Sequence, residues 1–123
     1  MVILPILPLK HIALKIGNKI WFEVDGQQVM GAGRYSLLKA VDELGSISEA
    51  SKSMNMSYKK AWKLIKSMNE AFDEPLVVKI KGGKGGGLST VTEKGLYLMS
   101  EYKRVEGMMQ INIEEASSTI TEI

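Results

Sequence analysis

Around Ile20 to Val24 apolar and polar positions alternate, with Ile20, Phe22 and Val24 set against Trp21, Glu23 and Asp25. A period of two sends alternate side chains to opposite faces of a strand. Asp25-Gly26, leading into Gln27 to Met30, supplies residues that tolerate positive φ in a tight turn. The pattern predicts a small hairpin, with strand character from Ile12 to Val29. Gly31 and Gly33 then interrupt it, and the period changes: Leu37, Leu38, Val41 and Leu44 recur at helical spacing. A first helix is expected from Arg34 to Leu44, stopped by Gly45.

Ser46-Ile47-Ser48-Glu49 has the form of a capping box, in which the serine oxygen accepts from a first-turn N–H and the glutamate reaches back. A short second helix should start there. Asn55 suits the left-handed conformation that ends a helix and Ser57 can cap another, so only a tight turn separates the two. That is the spacing of a helix-turn-helix. The third helix should run from Tyr58 to Phe72, with Ala61, Ile65, Met68 and Phe72 on one stripe and Leu64 beside them, until Pro75 prevents continuation. Leu76 to Ile80 and Leu88 to Val91 read as short strands joined by a glycine-rich loop, Lys81 to Gly87. Thr92 can cap a last helix carrying Leu96, Met99, Tyr102, Val105, Met109, Ile113 and Ala116 at three- and four-residue steps. Such a stripe exceeds what one small core needs.

The order predicts an α+β, mainly α fold: a winged helix-turn-helix with an N-terminal β-hairpin, a glycine-rich wing and a long C-terminal helix. At 123 residues, 45% of them hydrophobic, the chain has room for one domain over residues 1–123 and no second. The C-terminal stripe predicts that residues 92–118 form a dimerisation helix.

Charge sharpens the reading through its distribution. The net value is only +2, yet residues 51–84 hold eight lysines against Glu70, Asp73 and Glu74, while residues 101–123 hold five glutamates against Lys103 and Arg104. A basic middle and an acidic tail are expected when one face meets phosphate. Lys59, Lys63 and Lys66 follow at four- and three-residue steps and so share one surface of the third helix, with Lys60 beside it.

Much chemistry is excluded. There is no cysteine, and His11 is the only histidine, so thiolate zinc sites, disulfides, cysteine nucleophiles and ordinary hydrolase triads have no material. Asp42-Glu43 and Glu114-Glu115 are sequence neighbours on helices and point apart, which leaves no acid and base pair and no enzyme class with support. The glycine-rich loop fails the nucleotide-binding order, because Lys84 is followed by Gly85 rather than a Ser or Thr opening a helix. Met1 to Leu9 is apolar but broken by Pro5 and Pro8, too short to span a bilayer and without a basic leader, and reads as an arm. No cofactor, metal or membrane partner is expected, and a cytoplasmic home is.

The candidate DNA-binding residues are Ser57, Tyr58, Lys59, Lys60, Trp62, Lys63 and Lys66 on the third helix and Lys81 and Lys84 on the wing. A recognition helix presents its first turns to base edges and later cations to phosphates. Each has a plainer reading: the lysines as a solvated face, Tyr58 and Trp62 as a stacked pair covering the core, the loop as a simple hairpin turn.

The segment from Val29 to Tyr102 resembles the N-terminal domain of ModE-type molybdate-responsive regulators and their single-domain relatives. The resemblance rests on Gly31-Ala32-Gly33-Arg34, Leu37-Leu38, Gly45-Ser46-Ile47-Ser48 with Ala50, Met56-Ser57-Tyr58-Lys59-Lys60-Ala61-Trp62, Met68-Asn69, and Gly82 to Gly87 leading into Thr92 and Gly95. Ile20 to Gly26 also fits. The same region is more distantly similar to LysR-type regulators, in which the segment ending in Pro75-Leu76 closes the recognition helix. The resemblance implies a sequence-specific, dimeric transcription regulator with double-stranded DNA as partner and a link to molybdate or other metal-oxyanion metabolism. Full-length ModE-type regulators carry molybdate-binding domains after this one and the present chain ends soon after the match, so oxyanion sensing is not carried over and the effector stays unknown. The competing reading is a winged-helix module that binds protein and no DNA.

Overall fold

The computed structural model describes residues 14–81 and 87–121. Eight elements follow along it: β1 (Phe22–Val24), β2 (Gln27–Met30), α1 (Ala32–Leu44), α2 (Ile47–Ser53), α3 (Tyr58–Ala71), β3 (Val77–Lys81), β4 (Leu88–Val91) and α4 (Glu93–Ser118). The order is that of a winged helix-turn-helix, with a hairpin before it and a long helix after it.

The local signals explain the boundaries. Ser46 and Ser57 accept the N–H groups of Glu49 and Lys60, each at 3.1 Å, and Thr92 accepts that of Gly95, also at 3.1 Å, so α2, α3 and α4 start where an orphan first-turn donor finds a side-chain oxygen. Gly45 closes α1 at φ 70, and Asn55 turns the chain between α2 and α3 at φ 53. Glu49 does not complete the capping box: its carboxylate lies 3.5 Å from Lys52 instead. α1 begins two residues ahead of Arg34, because Gly31 is its extended cap and accepts the Tyr35 N–H at 2.9 Å. The strand reading from Ile12 reached too far. Residues 14–21 form no regular element, since β2 offers only four residues to pair and Asp25-Gly26 fixes their register against Phe22 to Val24; Ile12 itself lies outside the described residues.

α1, α2 and α3 pack around Leu37, Leu38, Val41, Ala50, Ala61, Ile65 and Met68, all essentially inaccessible. Leu76, Val77 and Val91 bring the base of the second hairpin onto this core, and Met30 brings the first. Each large apolar side chain so buried contributes about 1.5–3 kcal/mol. Met99 and Tyr102 close the cluster from α4. Tyr102 donates its hydroxyl to the Ile20 carbonyl at 3.1 Å, meets Phe22 edge-on at 5.6 Å and stacks on Tyr35 at 5.5 Å, so one side chain ties the first hairpin to α1 and α4. Gly95 makes the close approach of α4 to the second hairpin possible: a Cβ there would sit 2.6 Å from the Leu76 carbonyl oxygen.

Candidate nucleic-acid interface

α3 has two unlike faces because its apolar residues fall at one spacing and its lysines at another. Ala61, Ile65 and Met68 are buried, while Tyr58, Lys59, Lys60, Trp62, Lys63 and Lys66 are exposed. Ser57, Lys59, Lys60, Lys63 and Leu64 line a groove of about 500 Å³ on the outer side of the helix start. Lys66 is 3.9 Å from Glu70, whereas Lys59, Lys60 and Lys63 form no ion pair among the described residues. Three neighbouring ammonium groups at the positive end of a helix, without an internal counter-ion, make a strongly attractive place for an anion.

Tyr58 and Trp62 do not stack on each other to cover the core. They are 46% and 40% exposed, and the paired rings of the described residues are those around Tyr102. Trp62 instead lies against Lys79 of β3, whose ammonium group is 5.9 Å from the indole centre. Four residues of helix separate Tyr58 from Trp62, and the wing strand reaches the same side.

The wing pairs antiparallel, with Val77 opposite Val91, Val78 opposite Thr90, Lys79 opposite Ser89 and Lys81 opposite Leu88, and the register shifts at Ile80. Its base is fixed from three sides. The Ser89 N–H donates to the Gly45 carbonyl at 2.9 Å, the Thr92 N–H to that of Leu76 at 2.9 Å, and Asn69 bridges α3 to the start of β3. Val78, Ile80 and Leu88 are exposed on the outward face. Lys81 is the last residue of β3; Lys84 and the rest of Gly82 to Gly86 lie outside the described residues.

The helical candidates therefore come together on one face, and β3 runs beside them. Lys79 was missed as an individual site residue in the sequence, although alternation from buried Val77 through exposed Val78 marks it as facing the helix. Asn69 was legible only as part of a family resemblance. Among the described residues no group of His, Asp and Glu could hold a metal ion, and no helix is long and apolar enough to cross a membrane.

Residues 34–96, from the third residue of α1 to the first turn of α4, match the model of the bacterial regulatory helix-turn-helix proteins of the lysR family. The chain belongs to that family. Over 90 residues, 73% of the chain, this lysR-type domain is 37% identical to the molybdenum transport protein ModE of Azotobacter vinelandii, of which it covers 33%. It is 40% identical over 77 residues, 63% of the chain, to the DNA-binding transcriptional dual regulator ModE of Escherichia coli K12, and covers 29% of that protein. The chain thus spans about a third of the length of the curated relatives it matches. Among solved structures, that of a CbnR DNA-binding domain in complex with DNA superposes with a TM-score of 0.53 at 15% identity, over 72% of this chain and 97% of that one. At that identity the likeness concerns the fold, a winged helix-turn-helix.

Proposed function

We propose that the chain binds duplex DNA sequence-specifically as a transcription regulator, with α3 in the major groove and the wing on flanking phosphates. One observation carries the reading: Lys59, Lys60 and Lys63, exposed and without an ion-pair partner among the described residues, lie on the second helix of a helix-turn-helix with Lys79 of the wing alongside. Ser57, the cap of α3, and Tyr58 and Trp62, on its first turns, are assigned to base edges and adjoining sugars. Lys59, Lys60, Lys63, Lys66, Lys81 and Lys84 are assigned to phosphates. A regulator of this kind acts in the cytoplasm and carries out no chemistry on its DNA.

The regulator acts as a homodimer through the distal half of α4. Gly95, Met99 and Tyr102 are buried within the domain, but farther along the same stripe Val105 and Ile113 are half-buried and Met109 is 40% exposed, on a helix of 26 residues that extends about 39 Å. Pairing such stripes places two α3 helices on half-sites roughly 34 Å apart, one turn of duplex. The names of the relatives support target genes in molybdenum or other metal-oxyanion metabolism.

The test is selection of bound sequences from random duplex, followed by titration of the winner over a salt series. With 6 to 10 phosphates neutralised per dimer, the log–log slope should lie at roughly −5 to −9. A slope near zero, or no enrichment of any sequence, would sink the reading in favour of a module that binds protein. Sedimentation at micromolar concentration tests the dimer, and a monomer that binds DNA undiminished would remove α4 from the interface.

A further inference from the structure

Asn69 lies near the end of α3, half-buried, and its whole amide is engaged by the wing. Its Oδ1 accepts the N–H groups of Leu76 at 2.8 Å and Val77 at 3.1 Å, and its Nδ2 donates to the Val77 carbonyl at 3.0 Å. Two turns earlier on the same helix, Trp62 meets Lys79. Moving forward along β3 therefore corresponds to moving back along α3, so the strand lies antiparallel beside the helix. Seven helical residues span about 10 Å and two strand residues about 7 Å, close enough for the two contacts to act as the ends of one seam. At its far end Tyr58, Lys79, Gly87 and Ser89 line a small shared cavity where the start of α3 meets the wing. Asn69 makes the only side-chain hydrogen bonds along that seam among the described residues.

We infer that Asn69 is a positioning residue that sets the angle of the wing against α3, so that Lys79 and Lys81 meet phosphates in register with Lys59 and Lys63. This rests on the DNA-binding reading above. An alanine would leave two N–H groups and a carbonyl without their partner. An aspartate would keep the acceptor but set a negative charge against the Val77 carbonyl. The bonds from Ser89 to Gly45 and from Thr92 to Leu76 are untouched by either change, so the wing stays attached while its angle loosens.

The experiment is a double-mutant cycle. Asn69→Ala is made in the wild-type chain and in a chain carrying Lys79→Ala and Lys81→Ala, and each protein is titrated with the selected duplex over a salt series. In the wild-type background affinity should fall about 10-fold and the salt slope should become shallower by roughly 1 for each phosphate no longer reached, with the order of preferred sequences unchanged. In the background without Lys79 and Lys81 the same change should cost less than about 2-fold. If Asn69→Ala does not fold, Asn69→Asp carries the cycle, with an expected loss of about 3-fold. Amide exchange at Leu76 and Val77, measured without DNA, should quicken in either variant. An equal loss in both backgrounds, or a loss at constant slope, gives Asn69 a purely structural role and overturns the inference. Unchanged amide exchange overturns it alone, whereas failure of the wild-type chain to bind duplex overturns the DNA-binding reading with it.

Discussion

The first hairpin, β1 and β2, turns through Asp25 and Gly26 at φ 51 and 79, and its residues from Ile20 to Met30 include Glu23 and Asp25 but no lysine or arginine. The second, β3 and β4, is joined in the sequence by a run of glycines and includes Lys79, Lys81 and Lys84 but no acid. Both are two-stranded, antiparallel and bulged, and an isolated two-stranded hairpin is at best marginally stable, so each borrows its stability from what it touches. The first is held by the aromatic cluster at Tyr102. Among the described residues the second is held at its base by hydrogen bonds to Asn69 and Gly45, and Lys79 lies against Trp62 of α3. The same two-stranded element is thus braced by aromatic rings in one case and set beside the basic face of α3 in the other.

The hardest blow to this contrast falls on the brace. Tyr102→Ala removes a fully buried ring, its two aromatic partners and its bond to Ile20, and should cost about 3–5 kcal/mol in urea unfolding. A loss below about 1 kcal/mol would mean that the first hairpin is not held by α4. Replacing Lys79, Lys81 and Lys84 together by alanine should do the opposite, leaving stability within about 0.5 kcal/mol while duplex affinity at moderate salt falls roughly 100-fold, or about 2.7 kcal/mol. If that variant kept its affinity but changed its preferred sequence, the wing would be a reader of bases.

Gly95→Ala probes the base of the wing, where a methyl group would press into the Leu76 carbonyl oxygen and Val91. Overpacking against backbone should cost about 1–3 kcal/mol, read as a lowered thermal midpoint, and an unchanged midpoint would mean that α4 docks more loosely than the contact distance indicates.

The smallest effect concerns the Tyr102 hydroxyl. Burial, and after it the nearby Glu106 carboxylate, push this phenol above its ordinary value of 10.0. A group whose folded pKa is raised contributes stability that is complete below the unfolded value and is lost as pH rises through the folded one. Tyr102→Phe should therefore be about 1 kcal/mol less stable than wild type near neutral pH, and that gap should narrow on the alkaline side of the ordinary phenol value. A gap constant through strongly alkaline pH would mean that the hydroxyl is not held away from water.

What the sequence made legible is local. Ser46, Ser57 and Thr92 mark helix starts because a cap needs only a side-chain oxygen three residues from an orphan N–H. Asn55 and Gly45 mark ends because few residues accept their φ. The lysine face of α3 follows from spacing alone. Contacts between elements were less visible. An aromatic pair four residues apart reads alike whether it faces the core or solvent, so Trp62 could not be placed until β3 was seen beside it. Asn69 sits next to buried Met68, and nothing in its own neighbourhood says that its amide will meet a strand that starts after a proline-containing turn. The overlong first strand had a related cause: alternation reports strand character, but the length of a hairpin is set by whichever partner is shorter.

The bond from Tyr102 to Ile20 joins residues 82 apart in the chain. On a ribosome adding roughly 5–20 residues per second, the first hairpin waits about 4–16 s for the side chain that braces it. During that interval α1, α2 and α3 have all been made and can assemble from contacts between neighbours, the kind that form quickly. Maturation of this domain should therefore end where translation of it began. A nascent chain arrested before residue 102 would present a formed helix-turn-helix with its leading strands still unsecured, a species that limited proteolysis of stalled complexes would cut ahead of α1 and nowhere within it.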